Sequence, residues 1–137
     1  MDKTNPPTTF GVFKPVGHTI VTYRASTDLD TATRALLQQG FEQSALVRYT
    51  PDEMKAQVAL ELVNASPLAN FGYELDLVKV HQSHAEDGCS FLVVHAPDEV
   101  RAERVASVAR QTGAVSGQHY GRFMIEELSG LSSSDLG

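Results

Sequence analysis

Cysteine is all but absent. Cys89 is the only one in 137 residues, so no internal disulfide can form and nothing points to an oxidising compartment. Long apolar runs are missing as well, and none approaches the roughly 18 residues that a membrane-spanning helix needs. The opening stretch, MDKTNPPTTFGVFKPVG, shows neither the apolar core nor the small-residue cleavage pattern of a secretion signal. These absences predict a cytoplasmic protein with no membrane partner. Positive charge is scarce: 11 Lys and Arg face 17 Asp and Glu, for a net charge of −6. Affinity for a phosphate backbone rests on Lys and Arg neutralising phosphates, so nucleic acid is excluded as the expected partner.

What is present is ordinary for a folded domain. Hydrophobic residues make up 42% and charged residues 20%, which argues against overall disorder. A chain of this length buries roughly two-thirds of its unfolded surface, enough for one sizeable core. Residues 1–16 hold three of the six prolines and read as an irregular arm, with Phe10–Phe13 apolar enough to lie against the domain or a neighbouring subunit. The single domain spans 17–128, and 129–137 reads as a frayed tail.

Inside the domain one unit is written twice. Residues 17–49, GHTIVTYRASTDLDTATRALLQQGFEQSALVRY, and residues 88–120, GCSFLVVHAPDEVRAERVASVARQTGAVSGQHY, share a grammar. Each has a glycine, an apolar run rich in β-branched residues, a helix pattern, a second glycine and a second run. Ser26-Thr27-Asp28 offers oxygens to the free amides of the first helix, and Leu29, Ala32, Ala35 and Leu36 form its buried stripe. Pro97-Asp98-Glu99 opens the second helix, with Val100, Val105, Val108 and Ala109 on one stripe. Gly40 and Gly113 end the two helices. Arg48-Tyr49 and His119-Tyr120 match at the ends of the units.

Two such units predict an α+β fold, a ferredoxin-like βαββαβ sandwich. It carries a two-helix insertion over 51–86, between its second and third strands. Pro51-Asp52-Glu53 starts the first inserted helix, which runs to about Asn64 with Met54, Val58, Leu62 and Ala65 on one stripe. Ser66-Pro67 breaks it. The second runs from about Leu68 to Ala85, with Leu68, Phe71, Leu75 and Val78 on one stripe and Tyr73, Leu77 and Val80 on another. Arg122–Leu128 extends the last strand or adds a short element.

Strand alternation divides the inner strands into two faces. Thr19, Val21, Tyr23, Ser90, Leu92 and Val94 form the face for the repeat helices. His18, Ile20, Thr22, Arg24, Cys89, Phe91, Val93 and His95 form the other. At roughly 1.5–3 kcal/mol per large side chain, Ile20, Phe91 and Val93 must be covered. Either the inserted hairpin or a second subunit does this, and a homodimer through this face is the expected partner arrangement. With the inner strands taken as parallel neighbours, Arg24 lies beside His95 at one end and His18 beside Cys89 at the other.

That placement yields the candidate sites. His18, Arg24, Phe91 and His95 line a small-molecule site on the sheet face. There an Arg24 fork could hold a carboxylate and His95 could move a proton. His81, His84, Cys89 and His119 gather at one edge and suit zinc or copper, although no CxxC or HExxH spacing accompanies them. A solvated set of strand-end side chains is the plainer reading of both. An RNA-recognition strand is excluded, because Asp87-Gly88-Cys89-Ser90-Phe91 has an acid and a cysteine where a base and an aromatic belong. No catalytic residue and no resident cofactor is assigned. A non-catalytic small-ligand-binding or regulatory protein leads. An enzyme of the dimeric α+β barrel style and a His/Cys metal-binding protein stand as alternatives.

The stretch TIVTYRASTDLDTATRALLQQGFEQSALVRYT, residues 19–50, resembles the opening unit of bacterial small stress-protein domains of the general stress protein 17M type. It has their strand, a helix after a Ser/Thr-Asp turn, a Gly-Phe end and a second strand. The Gly-rich helical segment that often follows in those proteins is missing. The resemblance implies a bacterial, non-enzymatic accessory protein and carries over no functional residue.

Overall fold

A computed structural model describes residues 8–9, 12–13, 16–64 and 73–131. Phe10, the Ser66-Pro67 break, the expected helix start at Leu68 and residues 132–137 lie outside the described residues. Two short strands, β1 (Thr8–Thr9) and β2 (Val12–Phe13), pair antiparallel with each other, and β2 lies beside the inserted helices. The main body follows as β3 (His18–Tyr23), α1 (Ser26–Gln38), a 3-10 turn (Gln43–Ala45) and β4 (Leu46–Tyr49). Then come α2 (Pro51–Asn64), α3 (Tyr73–Glu86), β5 (Ser90–His95), α4 (Glu99–Gln111), β6 (Ser116–Tyr120) and β7 (Ile125–Glu127). The fold is α+β: among the described residues, four helices and a five-stranded antiparallel sheet in the order β4-β5-β3-β6-β7.

The duplicated grammar is visible in the backbone. Helices α1 and α4 are both 13 residues long. Gly40 and Gly113, which follow them, have φ of 99° and 79°, a left-handed conformation that a Cβ disfavours. Helix starts differ from one another. Asp98 caps α4 by accepting from the Arg101 amide at 2.8 Å. Thr50 and Glu53 bond reciprocally to each other's backbone amides at the head of α2, a capping box. At α1, by contrast, the capping residue is Ala25 and no side chain caps it. The Ser26-Thr27-Asp28 oxygens therefore do not play the expected role.

The inner strands correct the sequence expectation most. Strands β3 and β5 are antiparallel neighbours, with His18 opposite His95 and Tyr23 opposite Ser90. The crossover makes strands parallel within one unit, β3 with β4. The strand of the other unit, β5, pairs antiparallel with both. This exchanges the ends: His95 belongs with His18, and Arg24 follows Tyr23 at the Cys89 end.

Both faces are closed within one chain. On one, Val21, Tyr23, Leu92 and Val94 pack with Leu29, Leu36, Val105 and Val108 of the repeat helices. On the other, Ile20, Phe91 and Val93 are buried against Met54 and Val58 of α2 and Leu77 and Val78 of α3. The inserted hairpin, not a second subunit, covers that face, so a homodimer through it would have no open sheet to bury. Two stripe residues depart from expectation: Val100 is 61% and Val80 39% exposed. Val100 lies in the first turn of α4, ahead of the stretch that meets the sheet.

Arg122–Leu128 does add a short element, while Leu131, read from sequence as part of the tail, is packed. Strand β7 pairs antiparallel with β6, and Leu131 packs into the core under the repeat helices. Gly117 lies directly under this return, where the Leu128 amide donates to its carbonyl at 2.9 Å. A Cβ there would lie 2.6 Å from Leu128 Cδ1, so any larger residue would force the Leu128 side chain to shift over β6.

Candidate functional site

Antiparallel pairing brings the two strand-end histidines of the His18 end together. The His18 and His95 rings stand 4.8 Å apart, centroid to centroid, tilted by 44°. His18 is buried and its Nδ1 donates to the Val16 carbonyl at 3.1 Å, which fixes the ring. His95 is exposed. Helix α1 ends at this end of the sheet, since the segment after it enters β4 where Leu46 pairs with Val94. Helix α4 begins here, just after His95. The C-terminal end of one helix and the N-terminal end of the other thus flank the imidazole pair.

Between them lies a cavity of about 330 Å³ lined by His18 and His95, by Gln39, Gly40, Phe41, Glu42, Ser44 and Ala45, and by Arg101 and Arg104 of α4. This is the lower end of the size range of small-molecule sites, roughly 300–1,000 Å³. Arg101 is held by Asp98, Nε to Oδ2 at 3.4 Å. Arg104 and Glu42 form no ion pair or hydrogen bond among the described residues, with each other or with any neighbour. A larger cavity, about 610 Å³, opens between α4 and the β6–β7 hairpin. Its charged lining is mostly carboxylate, Asp98, Glu99, Glu103, Glu126 and Glu127, and its one arginine, Arg110, is tied to Glu103 at 2.8 Å.

Of the four expected ligand-binding residues, the cavity gathers two, His18 and His95. Phe91 is fully buried in the core beneath the inserted hairpin. Arg24 is at the far end of the sheet, where its charge acts on His84 and Cys89. The Arg24–His95 and His18–Cys89 neighbours are therefore both dissolved, by strand direction alone.

The expected metal set is dispersed. Among the described residues no group of three or more His, Cys, Asp or Glu side chains could hold a metal ion. Gln118 faces the hairpin side of β6, where it meets His81, and His119 faces the helix side, where it meets Thr19, so the sheet separates these two histidines. His81 Nε2 donates to Gln118 Oε1 at 3.2 Å, because the Gln118 amide nitrogen is directed to Ser116 and Glu127. Burial pushes His81 down to about 4, against the hydrogen bond it donates to Gln118, with His84 adding to the fall. His119 Nδ1 is 2.7 Å from Thr19 Oγ1, and burial lowers its pKa against the pull of Glu126. His84 is lowered by burial and by Arg24, and its Nδ1 is buried with no hydrogen-bond partner among the described residues. The Cys89 thiol is buried and pushed up, chiefly by that burial. It is a poor thiolate and so a poor ligand or nucleophile.

Arg101, Arg104, Glu42 and the turn after α1 were not singled out from sequence. A signal for them exists in the repeat. The shift that carries Gly40 onto Gly113 also carries α1 onto α4 end to end. It sets Asp28 against Arg101 and Thr31 against Arg104. At Gly113 a Cβ would meet Asp28 Oδ2 at 3.6 Å, whereas at Gly40 it would meet nothing within 4 Å. One copy closes this corner with an acid, and the other leaves it open beside two arginines. No family model matches the chain, and no curated protein or solved structure matches it.

Proposed function

We propose that the chain is a non-catalytic small-ligand-binding protein whose site is the cavity at the His18–His95 end. The observation that carries this reading is the pairing of two adjacent, tilted imidazoles with an Arg104 that has no ion pair among the described residues, around an open cavity of about 330 Å³. Convergent polar groups in a cavity of this size are the usual mark of a ligand site. The enzyme alternative needed an open polar sheet face with Arg24 beside His95. That face is filled by α2 and α3, and the pair is split.

The first four strands of the body, in the order β4-β5-β3-β6 with α1 and α4 on one side, support describing the core as ferredoxin-like. The hairpin α2–α3 and β7 are then additions to it. A cytoplasmic accessory role of the stress-related kind fits a binder without chemistry and belongs to the same reading. The site is complete within one chain, so sedimentation is expected to give binding-competent monomer.

Imidazole NMR signals, titrated with mixtures of small polar metabolites, test the assignment. Binding is expected to shift His18 and His95 and to leave His84, at the other end of the sheet, in place. His95→Ala and Arg104→Ala should each weaken it by about tenfold, the effect of one lost polar contact of roughly 1.4 kcal/mol. If the shifts cluster at His84 and Cys89 instead, or Arg104→Ala binds as well as the parent, the site is misplaced.

A further inference from the structure

We infer that the ligand class of this cavity, granted the site proposed above, is a small zwitterion, with a free α-amino acid as its simplest member. The charges of the lining carry the inference. Arg101 is already balanced by Asp98, which leaves Arg104 and Glu42 as opposite charges in one cavity. They do not pair with each other. A simple anion would satisfy Arg104 and be repelled by Glu42; a simple cation would do the reverse. A ligand carrying both charges satisfies both.

The backbone polarises the cavity in the same sense. The C-terminal end of α1, at Gln39 and Gly40, carries partial negative charge and suits an ammonium group. The head of α4 is the positive end, although Asp98 caps it, so Arg104 and not the helix start is the main carboxylate partner. Arginine's planar fork holds a carboxylate with two bonds. His18 and His95 form a floor that can donate or accept, and Phe41 supplies apolar lining for a small side chain.

The test uses the full chain and reads the His95 imidazole signals. Each common L-α-amino acid is titrated separately up to about 10 mM, a range that detects millimolar affinities. At least one is expected to saturate. Its N-acetyl form and its carboxamide should each bind about tenfold more weakly, because each lacks one charge. Glu42→Gln should remove the penalty for N-acetylation, and Arg104→Ala the penalty for amidation. Both side chains are exposed, so neither change threatens folding. Equal binding of the N-acetyl form overturns the inference. So does an equal response to inorganic phosphate or acetate, which would leave a ligand site of anion type. No response of His95 to any of these probes overturns the inference and the site together.

Discussion

The sharpest prediction concerns His81, a basic group sealed beneath the inserted hairpin. It is 3% exposed, its ring stands edge-on to Phe91 at 5.8 Å, and Gln118 Oε1 accepts from its Nε2. The group is thus held neutral, with its pKa moved from the ordinary 6.5 to about 4 by burial. Between those values the unfolded chain binds the proton and the folded chain does not. Folding is therefore fully favoured above pH 6.5 and loses stability as pH falls toward 4. Lowering the pH from about 7.5 to about 5 should cost about 2 kcal/mol from this residue alone. Urea unfolding at the two pH values gives the measurement. His84 and His119 shift in the same direction, so the wild-type loss should exceed this figure, and the comparison that isolates His81 is a double variant. His81→Leu with Gln118→Leu replaces both members of the buried hydrogen bond with apolar groups, which limits the cost of an orphaned partner. Its stability should fall by about 2 kcal/mol less than that of the wild type over the same interval. An unchanged loss, or an NMR titration of His81 near 6.5, would refute the reasoning.

Other consequences are simpler to read. Gly40→Ala meets no atom, so its cost should come from the left-handed backbone alone, about 1–2 kcal/mol by chemical denaturation; a neutral result would mean that the turn relaxes. Gly117→Ala should destabilise by driving a Cβ against Leu128, and adding Leu128→Ala should recover part of that loss in a double-mutant cycle. Phe91→Ala should cost about 3–5 kcal/mol, as for a fully buried aromatic side chain, with binding at the cavity retained if the protein still folds. Cys89 should react with a thiol reagent only after denaturant is added, because its thiol is buried and its pKa raised; fast labelling of the native protein would contradict its placement.

Much of this architecture is legible in the residues. Alternation in HTIVTY and SFLVVH sorts the two sheet faces correctly, since side chains reverse sides at every step. The need to cover Ile20, Phe91 and Val93 follows from their size and predicts that something packs there. Pro51-Asp52-Glu53 marks a helix start to the residue, because Thr50 and Glu53 cap each other. Strand direction is different. Periodicity has no sign, so the same pattern serves a strand running either way, and one reversed strand moved Arg24, His95, His18 and Cys89 to new partners. The polar link between His81 and Gln118 was hidden for another reason: it joins residues on an inserted helix and on β6 that no local pattern relates.

Reversal also gives the duplication its meaning. With β3 and β5 antiparallel, equivalent positions of the two units lie at opposite ends of the sheet and not side by side. Each end therefore combines the close of one repeat helix with the opening of the other. At the Tyr23 end the close is Gly113 and the opening contributes Asp28, whose carboxylate reaches the glycine corner. At the His18 end the close is Gly40 and the opening contributes Arg101 and Arg104. Fold stability favours both glycines, because both helices stop in a left-handed turn. It does not require the residues that face those turns to differ in charge. The helix stripes, the strand alternation and the terminal tyrosines of the two units are repeated. Asp28 against Arg101 and Thr31 against Arg104 are not repeated: Asp28 stands at the Gly113 corner, and Arg101 and Arg104 line the cavity at the Gly40 corner. Divergence that leaves packing untouched while altering charge around an open cavity is the pattern expected of a binding site, and it falls at His18 and His95.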